Sequence, residues 1–523
     1  MESVYPHYCR LREEMERWLA QSIRLDPPAQ GGGEDEANYA LAWFPHRLVT
    51  GSEKVRGHLE GLLGLLAEWV RRDGVHGYEP EAEAHHGTEP FLLFLPRYTG
   101  LFPEDAAAGR LLDDAAHHIG NWVAGIPPWY DWERGRFRSY RLGTGFVKEG
   151  PWEPVQLAEH FRFLHIALAA WRVTGDARYR EWAEHYGSRR ARLLDEAPPG
   201  PLPIVWDPDG RPVWAGECPE EWLRMAGAGH HAPGDPLGGV EVLLASGAIY
   251  ALGDLFRLTG EDLYRRAARR IAAPLVSQLA DPYADPGAAA VAYYRWACRD
   301  GSFDADLRAA VDACPPADEG ELALTAPERI RRVHPGVGRR QDMLFWGYWG
   351  GEEGMVRPTR EPSTAALSLA YQLTGRAEYA RRALRTAAAR LALARRVLRG
   401  GREHSDMGGA VCSVAQGHGR NWGIGAVTGC YGPLCLGTHE VLGAVTASLE
   451  VRTPDGQRAI PPEVLSLVAR PEPETMVVRL YNAGETPVSL EVRAAGAAEW
   501  AGVTLAAGES RMLATQPPGP HRR

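Results

Sequence analysis

No stretch of the 523 residues approaches the roughly 18 consecutive apolar residues that a helical membrane span needs. The opening MESVYPHYCRLREEMERW lacks a basic segment followed by an apolar one, so no secretory leader is expected. Cysteine is scarce and odd in number, with 7 scattered residues. Free thiols in a reducing compartment fit that pattern better than a disulfide framework, and the expected location is the cytoplasm. Cys430 and Cys435 in CYGPLC are the closest pair, but no second pair or adjacent His accompanies them, so no metal site is expected. Positive charge is not in surplus: 58 basic residues stand against 67 acidic ones, for a net charge of -9. That balance argues against a nucleic-acid partner. No glycine-rich loop follows a strand in the manner of a nucleotide site, so no cofactor is expected.

What the chain does have is a repeated phrase. Residues 171–187 read WRVTGDARYREWAEHYG, 256–271 read FRLTGEDLYRRAARRI, and 371–386 read YQLTGRAEYARRALRT. Each copy has an aromatic residue, then Thr-Gly, then a tyrosine: Tyr179, Tyr264 and Tyr379. Gly175, Gly260 and Gly375 suit the left-handed position that ends a helix. Asp176 and Glu261 then start the next helix, where its dipole favours an acid. Each phrase therefore predicts a tight αα-hairpin, with the tyrosine pinning the corner. Two weaker copies come earlier, RLVTGSEKV at 47–55 and RYTGLFPED at 97–105.

First helices of such hairpins are expected to start at about 38, 88, 154, 240, 362 and 426, with a further pair at about 287–313 as a candidate seventh. The last helix is expected to reach about 448. From 449 to 516 the pattern changes to period two, in SLEVRT, TMVVRLYN, VSLEVRAA, GVTLAAG and SRMLAT, which predicts a small β-sandwich-like antiparallel domain. The tail 517–523 is expected to be disordered. Residues 1–448 would then form one mainly α unit. Its short Thr-Gly corners would lie on one face, and its long connections on the other, at the amino ends of the first helices. The Trp, His and acid clusters all fall in those long connections.

On LTGEDLY, VTGDARY and LTGRAEY, the six or seven hairpins and the trailing β segment, the chain resembles the α/α-toroid carbohydrate-active enzymes, a superfamily of glycoside hydrolases and polysaccharide lyases. The resemblance covers about 1–516 and is specific for architecture, not for one family. It implies a cleft lined by inner helices, with catalytic and substrate residues in the loops at their amino ends. No family signature transfers a catalytic residue. Neither a DxDD-like motif nor a Cys/His zinc set, as in cyclase toroids, is present.

The candidates come from the loops themselves. PPWYDWERGRF offers Trp129, Tyr130, Asp131, Trp132 and Glu133, aromatic faces for sugar rings beside carboxylates for hydroxyls. KEGPWEPVQLAEHF is the strongest stretch: Glu149 and Glu153 bracket Trp152, and Pro154 would open an inner helix with Glu153 at its amino end. His160, farther in, reads as a core histidine. EAHHGTEP supplies His85, His86 and Glu89, and AGAGHHAPGD supplies His230, His231 and Asp235. FWGYWGGEEGMVRP places Trp346, Tyr348 and Trp349 beside Glu352, Glu353 and Arg357, which could fork onto a substrate carboxylate. GHGRNWGIGAVTGCYG holds His418, Arg420, Asn421, Trp422 and Tyr431.

Two reactions suit these residues. Hydrolysis needs two carboxyl groups, about 5 Å apart for retention or about 6.5–9.5 Å for inversion, and Glu153, Glu89, Asp131, Glu352 and Glu353 are the candidates. β-Elimination on a uronate needs its carboxylate neutralised and a Tyr or His base, for which Asn421, His418, Arg420 and Tyr431 are the set, with His230 or His85. Hydrolysis is preferred, because acids recur in the loops and hydrolases are the larger part of the superfamily. The loop histidines and arginines point to an anionic oligosaccharide, with a non-catalytic glycan-binding toroid as the third reading.

Overall fold

The computed structural model describes residues 1–22, 43–72, 78, 91, 94–200, 202–203, 205–213, 243, 246–276, 287–313, 322–325, 355–358, 364–397, 434, 438–441, 444–447, 449–457, 460–494 and 497–515. It is mainly helical. In chain order the helices are α1 (Tyr5–Ser22), α2 (Trp43–Thr50), α3 (Glu53–Arg72), α4 (Leu95–Leu101), α5 (Ala106–Ala116), α6 (Arg162–Thr174) and α7 (Ala177–Asp195). They continue with α8 (Ala248–Thr259), α9 (Asp262–Val276), α10 (Gly287–Ala297), α11 (Asp304–Asp312), α12 (Thr364–Thr374) and α13 (Ala377–Val397).

The Thr-Gly corners share one set of bonds. Gly175, Gly260 and Gly375 sit at φ 75°, 75° and 65°, and each amide donates to the carbonyl four residues back. The threonine hydroxyl donates back into its own helix: Thr174 to Ala170, Thr259 to Leu255 and Thr374 to Ala370, at 2.7–2.8 Å. The same oxygen then accepts the amide of the residue after the glycine. One hydroxyl thus satisfies a carbonyl at the end of one helix and an amide at the start of the next. Thr50-Gly51 repeats the set, so the weaker copy at 47–55 is a full corner with Val55 in the tyrosine's place. Thr99-Gly100 is different. It lies inside α4, where Thr99 bonds Leu95 and Pro96, and the chain turns later, with Asp105 capping α5.

The tyrosines reach beyond their own corners, though Tyr379 also takes a bond from Arg376 of its own corner. Tyr179 on α7 reaches Asp113 (2.5 Å) and His117 at the end of α5. Tyr264 on α9 donates to the Glu184 carbonyl of α7 (3.2 Å), and Tyr379 on α13 donates to Asp312 of α11. Each is buried and fastens the second helix of its pair to the second helix of the pair before it. The first helices pack as a row in the order α2, α4, α6, α8, α10, α12, and α1 packs against α13. This inner and outer pairing is consistent with an α/α toroid. The pair α10/α11 takes a full place in the row.

Where the apolar pattern predicts helix to about 448, β7 (Thr438–Val441) pairs antiparallel with β8 (Ala444–Ala447). Thr438, Val441, Val445 and Thr446 are β-branched, and Gly443 costs a helix about 1 kcal/mol. The hairpin lies against α2, α4 and α8. Shorter pairs are β1 (Tyr130–Asp131) with β2 (Arg136–Phe137), β3 (Gln156–Leu157) with β4 (Val205–Trp206), and β5 (Leu322–Thr325) with β6 (Met355–Pro358).

From Leu449 onward the described chain is strand and turn: β9 (Leu449–Arg452), β10 (Val464–Ala469), β11 (Met476–Asn482), β12 (Val488–Ala494), β13 (Ala501–Leu505) and β14 (Ser510–Thr515). They make two antiparallel sheets, ordered β10-β11-β14 and β13-β12-β9. β11 alternates buried and half-buried residues, whereas every residue of β10 is buried. The reason is α12, which packs on β10. Among the described residues no helix is long and apolar enough to cross a membrane.

Candidate functional site

The connection from α5 to α6, residues 117–161, is described throughout and lies at the amino end of an inner helix. Asp131 and Gly135 (φ 63°) close the β1–β2 turn. The Asp131 carboxylate accepts the Arg134 amide and pairs with its guanidinium, both at 3.0 Å. Burial raises its pKa, but those bonds outweigh it and hold the carboxyl below the usual range. A general acid needs the opposite shift. These bonds tie the ionised carboxylate to the turn.

Of the four tryptophans of this connection, the three other than Trp122 are placed differently. Trp129 is wholly buried, donates to the Gly143 carbonyl (3.0 Å), and packs on Tyr78, His118 and Phe163. It is a core residue here and offers no face to a sugar. Trp132 lies over His185 on the outer helix α7, with ring centres 5.3 Å apart. Trp132 is 40% exposed, and Trp152 is more so, at 55%.

Glu153 follows it. It does not open an inner helix as Pro154 suggests: a turn covers 151–154, β3 follows, and α6 begins only at Arg162 after a single tight turn at Ala158–Phe161. A helix dipole acts within about one turn, so it does not reach Glu153. The carboxylate is held by side chains instead. Lys148 pairs with it at 2.9 Å and the Ser139 hydroxyl donates at 3.4 Å. Lys148 is one of only two lysines in the chain, with Lys54. The Glu153 carbonyl accepts the Tyr140 amide (3.0 Å), which locks the loop. An ion-paired carboxylate beside an exposed indole is suited to act as a base or nucleophile on a ring stacked there.

Behind this loop lies a buried polar layer that periodicity did not single out. The His160 Nδ1 accepts the Leu157 amide (3.1 Å), so its proton sits on Nε2. Burial, then Arg190, pushes its pKa well down. Arg190 reaches in from α7, donates to the Leu157 carbonyl (3.0 Å), and lies 4.1 Å from the Trp206 ring centre. Gln156 bridges to the β2 edge through the Phe137 backbone. His165 donates from Nε2 to the Gly247 carbonyl (2.6 Å), joining α6 to the start of α8; burial lowers its pKa to about 4. Arg190 and Trp206 belong to stretches read as helix and loop, and only their distant partners give them a role.

Arg357 is on β6, opposite Ala323. Glu89, His85, His86, His230, His231, Trp346, Tyr348, Trp349, Glu352, His418, Asn421, Trp422 and Tyr431 lie outside the described residues. So do Glu353, Asp235 and Arg420. Of the described candidates, Trp152 and Glu153 are chain neighbours in the turn at 151–154, and Asp131 lies in the β1–β2 turn.

No family model matches the sequence, and no curated protein matches it. Among solved structures, the chain is similar to the unsaturated glucuronyl hydrolase from Bacillus sp. GL1, responsible for the degradation of glycosaminoglycan. The identity is 16%, over 69% of this chain and 89% of that one, with a TM-score of 0.38. A UGL variant with dGlcA-Glc-Rha-Glc is similar at 16% identity over the same shares, with a TM-score of 0.39.

Proposed function

We propose that the chain is a carbohydrate-active hydrolase that cleaves glycosidic bonds in uronate-containing oligosaccharides, with Glu153 in the reacting pair and Trp152 as a sugar platform. The supporting observation is the juxtaposition at the α6 mouth. A 55% exposed tryptophan adjoins a carboxylate held by Lys148 and Ser139, on a loop braced by buried Arg190 and Gln156. Exposure of a large indole costs burial free energy that a bound sugar ring would recover. Glu89 and Glu352 are the proposed partners of Glu153, and Arg357 the proposed carboxylate contact.

The test is a panel of neutral and uronate-bearing oligosaccharides, followed by reducing-end release and by the ultraviolet absorbance of a conjugated double bond. Release without new absorbance is the expected result. Glu153→Gln should lower kcat by about 10²–10⁴, and Trp152→Ala should raise KM while leaving the folded state intact. Absorbance appearing with cleavage would replace hydrolysis by elimination. Binding without cleavage by the wild type would leave only a glycan-binding role. Neutral oligosaccharides outcompeting uronates would remove the anionic substrate class.

A further inference from the structure

The β1–β2 turn carries a second exposed indole that the proposed reaction does not use. Trp132 keeps 40% of its surface in solvent although it is held on several sides. Its Nε1 donates to the Gly120 carbonyl (3.2 Å). One face lies on the His185 imidazole, 30° from parallel, and Tyr130 stands perpendicular to it. Trp122 flanks it, with ring centres 6.3 Å apart and the planes inclined at 55°. With one face on His185, the exposed area lies on the other face and the rim. The turn beneath is tied down: Asn121 bonds both the amide and the carbonyl of Tyr130, at 2.9 and 2.7 Å, and the Gly135 amide closes onto the Asp131 carbonyl (2.8 Å).

Beside the indole, His185 and Arg189 stand one helical turn apart on α7, and both border Gly135. A Cβ on Gly135 would sit 3.5 Å from His185 Cε1 and 3.7 Å from Arg189 Cγ and Cδ. The Tyr130 hydroxyl occupies His185 Nδ1 (2.9 Å), which leaves Nε2 for a ligand. Arg189 is exposed and, among the described residues, pairs with no acid. The neighbouring cations are committed elsewhere: Arg134 to Asp131, Arg136 to the Pro208 carbonyl, and Arg178 to Asp176. Glu133, the other acid of the turn, acts on Arg134, and Glu181 lies one turn of α7 away from His185 on the side opposite Arg189.

An indole fixed with a face in water forgoes burial free energy that a stacked ring recovers. A pyranose offers an apolar face to the indole, and a uronate adds a carboxylate that a guanidinium binds through two parallel bonds. Residues four apart on a helix are about 5–6 Å apart at Cβ, so Arg189 stands about one sugar ring along from His185. We propose that Trp132, His185 and Arg189 form a second, non-catalytic site on the outer helix α7 that holds a uronate ring of a long glycan. The ring stacks on Trp132, its carboxylate meets Arg189, and a hydroxyl meets His185 Nε2. The site rests on the proposed substrate class but not on Glu153, and it retains polymer chains rather than cleaving them.

The test is native electrophoresis of the full chain through gels containing polygalacturonate, hyaluronan or, as the neutral control, dextran. Retardation by at least one uronate polymer and none by dextran is expected. Trp132→Ala and Arg189→Met should each raise the polymer concentration that halves mobility by about tenfold. Both should keep the wild-type kcat and KM on a uronate-bearing disaccharide. Arg266→Met removes the same charge from the Asp195 pair on α9 and should leave the retardation unchanged. No retardation of the wild type by either uronate polymer would overturn the proposal. So would equal retardation of the wild type and Arg189→Met, or a loss in Arg266→Met as large as in Arg189→Met. Loss in Trp152→Ala with none in Trp132→Ala would move the retention to the mouth and overturn it too. If Trp132→Ala does not fold, the exposed Arg189→Met decides alone. A retarded wild type that cleaves nothing removes the hydrolase reading and spares the site, and cleavage by an unretarded wild type does the reverse.

Discussion

The two ends of the helical row are built on different terms. At one end four corners, at Gly51, Gly175, Gly260 and Gly375, repeat the same threonine and glycine bonds. At the other, the connection described throughout is held by partners far apart in sequence: Arg190 on Leu157, Trp206 over Arg190, His165 on Gly247. A corner closes within a few residues, so a short phrase is enough to specify it. A mouth loop acquires its shape only after the helices beneath it have packed.

Replacing a fastening residue and a mouth residue should separate the two ends most widely. Tyr179→Ala removes a buried phenol and its bonds to Asp113 and His117, and should cost about 3–5 kcal/mol in denaturant unfolding. Trp152→Ala should stay within about 0.5 kcal/mol. Similar losses for the two would break the contrast.

Acid should expose the mouth next. His165 is neutral in the fold, with a pKa lowered to about 4, and His160 is likewise held well below its ordinary value by burial and then by Arg190. An unfolded histidine titrates near 6.5, so below that pH the unfolded chain binds protons that the folded chain refuses. Their contribution is complete above about pH 6.5 and is lost as pH falls toward 4, by roughly 3 kcal/mol for His165 alone. Urea midpoints across that range measure it, and His165→Gln should flatten the slope.

Two glycines sharpen the comparison on a smaller scale. A Cβ on Gly187 would meet the Leu255 side chain at 2.4 Å, so Gly187→Ala should cost about 1–3 kcal/mol through overpacking of α7 against α8. A Cβ on Gly175 would meet nothing within 4 Å. Its φ of 75° alone sets the cost, about 1–2 kcal/mol for Gly175→Ala. Tm shifts in that order are expected, and a neutral Gly175→Ala would remove the left-handed corner as a determinant.

The corners were legible because threonine, glycine and the following amide complete their bonds locally. The strands after Leu449 were legible in the same way, from alternation. Tyr264 was legible as a recurring residue but not in its role, because its partner Glu184 belongs to the preceding pair. The β7–β8 hairpin was misread as helix, since a short apolar run carries no period that separates the two states. In the site, Glu153 and Trp152 stood out by residue type, whereas the burial of Trp129 and the capture of Asp131 by Arg134 did not.

The sequence by itself determined the Thr-Gly helix ends, the strands after Leu449, and which loops carry aromatic and acidic residues. All of these depend on backbone bonds and side-chain spacing over a few residues. Only the tertiary structure decided which of those residues face solvent and which carboxylate a lysine holds. Burial and pairing are properties of surfaces brought together from distant parts of the chain, and no local pattern encodes them.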